Sequence, residues 1–303
     1  MSTETSVSAN FAVKPILISI TMLKFVYLWF ALKTTFCDCH SERRISGFER
    51  GKPNYKVIKI GKLPAAISES SGLARVNNKK TLWTHNDGGN APELFEIDNT
   101  GKIVAVLKLP KLQNTDWEDM TQRPDGQLFI GDFGNNDNTR RDLAIYKIDP
   151  TQPDVPEKIT FAYRDQTAFP PSAKLRNFDC EAMVYLNEKL YLFSKNQSSI
   201  NKRVRLYEVP ARAGNYEVAP KDSIFLKSMI TGAALSPDTR TLALVSYGKV
   251  FLFDVIDDQI NFKRPRQCIK VAKLQTEAIV FVNNTDFVVT NEQRGMYLVR
   301  RKK

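Results

Sequence analysis

Trp117-Glu118-Asp119-Met120 leads through Thr121-Gln122-Arg123 into Pro124-Asp125-Gly126, and then into Gln127-Leu128-Phe129-Ile130. An acidic opening is followed by a turn of Pro, Asp and Gly, and a β-prone run starts directly after it. The same order recurs along the chain. Ser71-Gly72-Leu73, Glu181-Ala182-Met183, Thr231-Gly232-Ala233 and Glu277-Ala278-Ile279 each present an oxygen-bearing residue, usually a small one, then an apolar one. Successive openings stand 46 to 63 residues apart. That spacing matches a propeller blade rather than a solenoid coil.

Working outward from the openings, second strands are expected over 81–85, 127–130, 189–193, 241–245 and 286–290. Third strands follow over 93–97, 143–148, 204–209, 249–255 and 295–299, several alternating polar and apolar residues. Outer strands are expected over 103–109, 159–163, 223–226 and 269–274, and the fifth repeat reaches Lys303 without one. A β-rich run at 55–60 precedes the first repeat and can supply it. Pairing that run into the last blade closes the ring and removes an open edge. The fold class is therefore all-β: a five-bladed β-propeller over 54–303, its last blade closed by the N-terminal strand. An open sandwich of short strands explains the alternation but not the repeated openings.

Composition limits the chemistry. The 303 residues, 42% hydrophobic and 25% charged, are ordinary globular material. Two histidines and the four cysteines Cys37, Cys39, Cys180 and Cys268 exclude zinc-ribbon and His-cluster sites, and their spacing signals no disulfide framework. Any metal must use oxygen ligands. The net charge of +11 comes without interleaved aromatic and basic residues, so no nucleic-acid partner is expected and the excess reads as solvated surface. A monomer is expected.

Residues 11–36 are apolar, with Lys14, Lys24 and Lys33 as the only charges. Residues 1–36 read as a signal peptide, of secretory or lipoprotein type with Cys37 or Cys39 acylated, or as an uncleaved membrane anchor. In an anchor Lys24 would lie in mid-bilayer at a cost of about 3 kcal/mol, which favours export. Residues 37–53 then form a short polar tether. The protein is expected outside the cytoplasm, secreted or held to a membrane only through this segment.

In a propeller the inner strand of each blade starts beside the axis. Ser71, Glu118, Glu181, Thr231 and Glu277 should therefore converge. Three carboxylates at separations of about 5 Å repel by about 3 kcal/mol per pair at an effective dielectric of about 20. Either their pKa values rise or a cation sits among them. Hard oxygen ligands with two hydroxyls favour Ca²⁺. The ends of the second strands and the longest loops fall on the same face. They carry Asp87 and Asp132, which suit either turn chemistry or a general base. Arg140, Arg141 and Lys195 suit either solvation or anion contacts. His85 reads as a strand residue satisfied by a neighbour, and Cys180 as a buried small residue.

At the openings the sequence resembles the calcium-activated nucleotidase (apyrase) family. That resemblance implies a five-bladed propeller with one axial Ca²⁺ held by a Ser or Glu from each blade, carried here by Ser71, Glu118, Glu181, Thr231 and Glu277. Thr231 stands where the family has Ser. The family's nucleotide contacts carry over less well: its Asp- and Arg-containing loop meets Asn86-Asp87-Gly88-Gly89-Asn90, without the arginine, and its Arg pair meets Ser194-Lys195-Asn196. Trp117-Glu118-Asp119-Met120, Gly131-Asp132-Phe133-Gly134-Asn135-Asn136 and Asp179-Cys180-Glu181-Ala182 also resemble exported bacterial propellers of the phytase-like esterase type.

Two functions are compatible with these residues. One is a binding or scaffold module at the cell surface, with Ca²⁺ stiffening the axis and the loops gripping a small-molecule, phosphate-bearing or surface ligand. The other is a Ca²⁺-dependent hydrolase of phosphoanhydrides or phosphoesters, with Asp87 or Asp132 as base and Lys195, Arg140 or Arg141 on phosphate.

Overall fold

Each repeat opening starts the inner strand of its own sheet, and the five sheets form a ring. The computed structural model describes residues 39–50, 54–77, 79–271 and 275–302. The expected leader or anchor, with Cys37, lies outside the described residues. The first blade runs Ser70–Arg75, Leu82–Asn86, Glu93–Ile97 and Ile103–Lys108. The second runs Trp117–Gln122, Leu128–Asp132, Ala144–Ile148 and Glu157–Tyr163. The third is Cys180–Leu186, Lys189–Ser194, Arg203–Pro210 and Asp222–Phe225. Ile230–Leu235, Thr241–Ser246, Lys249–Asp254 and Pro265–Lys270 make the fourth. In the fifth, Thr276–Phe281, Phe287–Asn291 and Gly295–Arg301 are completed by Tyr55–Lys62 from the other end of the chain.

That closing strand pairs antiparallel from Tyr55 opposite Arg301 to Lys62 opposite Gly295, and the Lys302 N–H reaches the Asn54 carbonyl at 2.8 Å. The Ser70 hydroxyl lies 2.8 Å from that of Thr84 in its own blade and, across the seam between the last and first blades, 2.9 Å from that of Thr290.

The core lies between blades. Second strands are buried on both faces because successive side chains serve different seams. Leu242 and Leu244 pack toward the third blade, while Ala243 and Val245 pack toward the fifth. This accounts for the continuous apolar run from Leu242 to Val245.

Two outer edges carry extra strands that the repeat did not announce. Gly214–Val218, inserted between the third and outer strands of the third blade, pairs parallel with Ile159–Tyr163 of the second. Glu49–Arg50 pairs parallel with Gln267 and Cys268 on the fourth blade. Residues 39–50, expected as a free tether, are thus packed against the fourth blade. Helix His40–Ser46 precedes the short strand. Phe48 is buried with its ring 5.3 Å from that of Phe251 and 5.1 Å from that of Phe253. Glu42, fully buried, faces Lys249 at 3.2 Å. Cys39 is disulfide-bonded to Cys268 across 229 residues. Its sulfur is therefore not available for the expected acylation. Cys180 is free and buried, as expected.

Candidate axial site

Every inner strand breaks its ladder at the same place. Ser70 pairs with Asn86 and Gly72 with His85, which leaves Ser71 extra. Cys180 and Ala182 pair with Ser194 and Phe193 and leave out Glu181, while Ile230 and Gly232 pair with Ser246 and Val245 and leave out Thr231. In the second and fifth blades the shift falls between Trp117 and Met120 and between Thr276 and Ile279, across Glu118-Asp119 and Glu277-Ala278. A bulge leaves a residue unpaired and re-aims its side chain. In this ring it aims them at the axis. Ser71, Glu118, Glu181, Thr231 and Glu277 line one cavity of about 190 Å³.

A second tier comes from the residues that directly follow the second strands. Asp87, Lys195, Tyr247 and Glu292 line the same cavity, as do Asn136 and Gln275. The cavity thus brings five carboxylates against one ammonium among the described residues. Withdrawal from water, reinforced by Glu181 and Asp87, holds the Glu118 carboxyl well above the usual range. Burial does the same to Glu181, with Asp179 and Glu277 adding to it against the pull of Lys195. Burial and the neighbouring Glu292 push Glu277 up to about 8. Burial with Asp87 and Glu69 pushes Glu292 to about 7, and burial pushes Asp87 to about 6. Each group resists ionising beside the others, so the cavity favours a cation or protons.

The tightest carboxylate group is not the three ring glutamates. Asp87, Asp116 and Glu118 each offer an oxygen within 4.8 Å of the others. Asp116 was not legible as a site residue: it sits one residue before the inner strand and comes within reach only through two glycines. A methyl group on Gly88 would meet Asp116 Oδ1 at 2.5 Å, and one on Gly134 would meet Glu118 Oε1 at 2.4 Å. Those backbones run directly against the carboxylates, which only glycine permits.

The hydroxyls suit a hard cation. Thr231 Oγ1 donates to the Thr276 carbonyl at 2.8 Å and Ser71 Oγ to that of Glu69 at 3.4 Å, so each keeps lone pairs for another partner. With the glutamates they form an all-oxygen donor set that fits Ca²⁺.

The remaining candidate residues are held by identifiable partners. Asp132 is buried and does not line the cavity; its Oδ1 accepts from the Asp116 N–H at 3.0 Å and from Arg140 Nη2 at 3.0 Å, which ties it to the surrounding loop. Arg140 also donates to the Gly134 carbonyl at 2.8 Å and to Asp142 at 3.1 Å, which commits its guanidinium to the 131–142 loop. Arg141 lies over the Phe169 ring, 3.7 Å from its centroid, and does not line the cavity. Lys195 does line it, paired with Glu181 and not turned toward an outside anion. His85 is fully buried, with Nδ1 3.0 Å from the Asn86 carbonyl, and burial lowers its pKa to about 4.

Asp119, next to Glu118, does not line the cavity. It is fully buried. Its Oδ1 accepts the Met120 N–H at 2.8 Å, and Oδ2 accepts those of Met183 and Ala233 at 2.9 Å each. One carboxyl thereby joins the second, third and fourth blades under the site.

Fold and site together define a five-bladed propeller with an acidic axial cavity. No protein-family model matches the chain, and no curated protein matches it. Among solved structures it is similar to a chain of a mitotic checkpoint complex at 12% identity and a TM-score of 0.40, over 75% of this chain and 60% of that one. It is also similar to a structural genomics protein of unknown function from Bacteroides thetaiotaomicron at 9% identity and a TM-score of 0.45, over 82% of this chain and 76% of that one. These likenesses carry no argument about function.

Proposed function

We propose that the protein is a binding propeller whose axial cavity takes Ca²⁺, with the surrounding loops presenting the contact surface for a partner outside the cytoplasm. The observation that carries this reading is the convergence of five bulged residues, one per blade, on a single cavity rich in carboxylates with raised pKa values. Ser71, Glu118, Glu181, Thr231 and Glu277 would hold the ion, with Asp87 and Asp116 close to Glu118. The resemblance to the calcium-activated nucleotidases at these positions supports the same assignment. Export is supported by the apolar N-terminal stretch and by the Cys39–Cys268 disulfide, since such bonds persist in oxidising compartments.

Thermal melting tests the ion. Ca²⁺ should raise the midpoint of the wild type over a chelator control, because a ligand that binds only the folded state stabilises it. Glu118→Gln combined with Glu181→Gln should abolish the gain. A gain that survives the double substitution places the ion elsewhere. The hydrolase alternative keeps one supporting observation, Asp87 with its pKa near 6 in the cavity wall. Arg140 and Arg141, its expected phosphate contacts, are engaged elsewhere. Chelator-sensitive phosphate release from nucleotides, inositol phosphates or sugar phosphates would favour it.

A further inference from the structure

Lys195 enters the cavity from the end of a second strand, at the position that holds Asp87, Tyr247 and Glu292 in three other blades. Its backbone N–H is fixed to the Asp179 carbonyl at 2.8 Å, so the stem starts at the cavity wall. The side chain is only 12% exposed. Nζ pairs with Glu181, lies 3.4 Å from Asn136 Oδ1 and stands 3.9 Å from Asp179 Oδ2. The chain therefore places a cation of its own where the ring carboxylates converge.

We propose that Lys195 is a tethered competitor for the axial ion, holding Glu181 when the ion is absent and leaving it when the ion binds. This rests on the axial cation reading above. An ammonium held on Glu181 Oε1 weakens what that carboxylate can offer a divalent ion, and two cations a few ångströms apart repel. Ion entry thus favours movement of the ammonium off Glu181, leaving exposed Asn136, already 3.4 Å from Nζ, as its remaining partner. An affinity that depends on a minor arrangement is weakened by the fraction of time that arrangement is populated. Lys195 thereby sets the calcium concentration at which the site fills, and it lets the folded propeller stand without the ion.

The test is calorimetric titration of Ca²⁺ into the full chain, wild type against Lys195→Met and Lys195→Arg, each also melted in chelator. Methionine keeps the stem and removes the charge. Lys195→Met should bind Ca²⁺ about 10- to 100-fold more tightly than wild type and melt lower in chelator, while Lys195→Arg stays as weak as wild type. Binding by Lys195→Met alone, with none by wild type, would show that the lysine replaces the ion outright, and it overturns both the displaceable-competitor role and the calcium reading of the wild type. Equal affinity in wild type and Lys195→Met overturns the competitor role and leaves the calcium site standing. No binding by any of the three overturns both.

Discussion

At the scale of single residues, Asp119 and Lys195 show how far identity alone can be read. Asp119 accepts three backbone N–H groups, two of them from other blades. Asp119→Asn keeps the volume but turns an amide toward donors that need an acceptor. An unsatisfied buried donor costs about 1–3 kcal/mol, and at least one N–H, that of Met120 in the milder setting, loses its acceptor whichever way the amide is set, with the new NH₂ left facing a donor. Urea unfolding should show a loss of about 3 kcal/mol; a loss under about 0.5 kcal/mol would mean that the staple carries no weight. Nothing in Glu118-Asp119 distinguishes the axial carboxyl from the structural one. Only the bulge, which sends adjacent side chains to different places, decides between them. Lys195 was legible as a cation in the right loop, but the group it faces is set by Glu181, which precedes it by a whole hairpin.

At the scale of elements, the repeat was legible because each blade writes the same opening, turn and second strand. The ring closure by Tyr55–Lys62 followed from counting strands. The added edge strands escaped because their partners lie in other blades or far along the chain. Gly214–Val218 is half exposed and looks like connecting sequence until Ile159–Tyr163 is beside it. The docked segment 39–50 escaped for the same reason: a disulfide spanning 229 residues leaves no local spacing to notice. Glu42 and Lys249 hold that segment with a pair that is almost wholly buried, and Glu42 Oε2 has no hydrogen-bond partner among the described residues. Removing one partner of such a pair strands the other charge, at about 3–5 kcal/mol. Glu42→Gln should therefore destabilise the fourth blade strongly in urea unfolding, and adding Lys249→Met should restore part of the loss. Equal losses for the single and double variants would show that the segment's anchorage lies in Phe48 and the disulfide instead.

At the scale of the whole molecule, the axial carboxylates link stability to pH. In the folded chain Glu277, Glu292 and Asp87 hold protons up to about pH 8, 7 and 6. In the unfolded chain such groups ionise near their ordinary values of about 4. Between these limits the folded state binds more protons than the unfolded one, so stability falls as pH rises. In chelator the melting midpoint should drop from about pH 6 to about pH 8, and calcium should restore more at the higher pH, releasing protons as it binds. A flat profile in chelator would indicate that the carboxylates are already fully compensated by Lys195.

The unpaired position in each inner strand has a consequence for descent. Because these five side chains stand outside the ladder, exchanging one for another leaves strand pairing intact. A lineage can therefore redraw the chemistry of the centre by a handful of point changes on an inherited frame. Relatives of this protein should differ there sooner than at the buried faces around it.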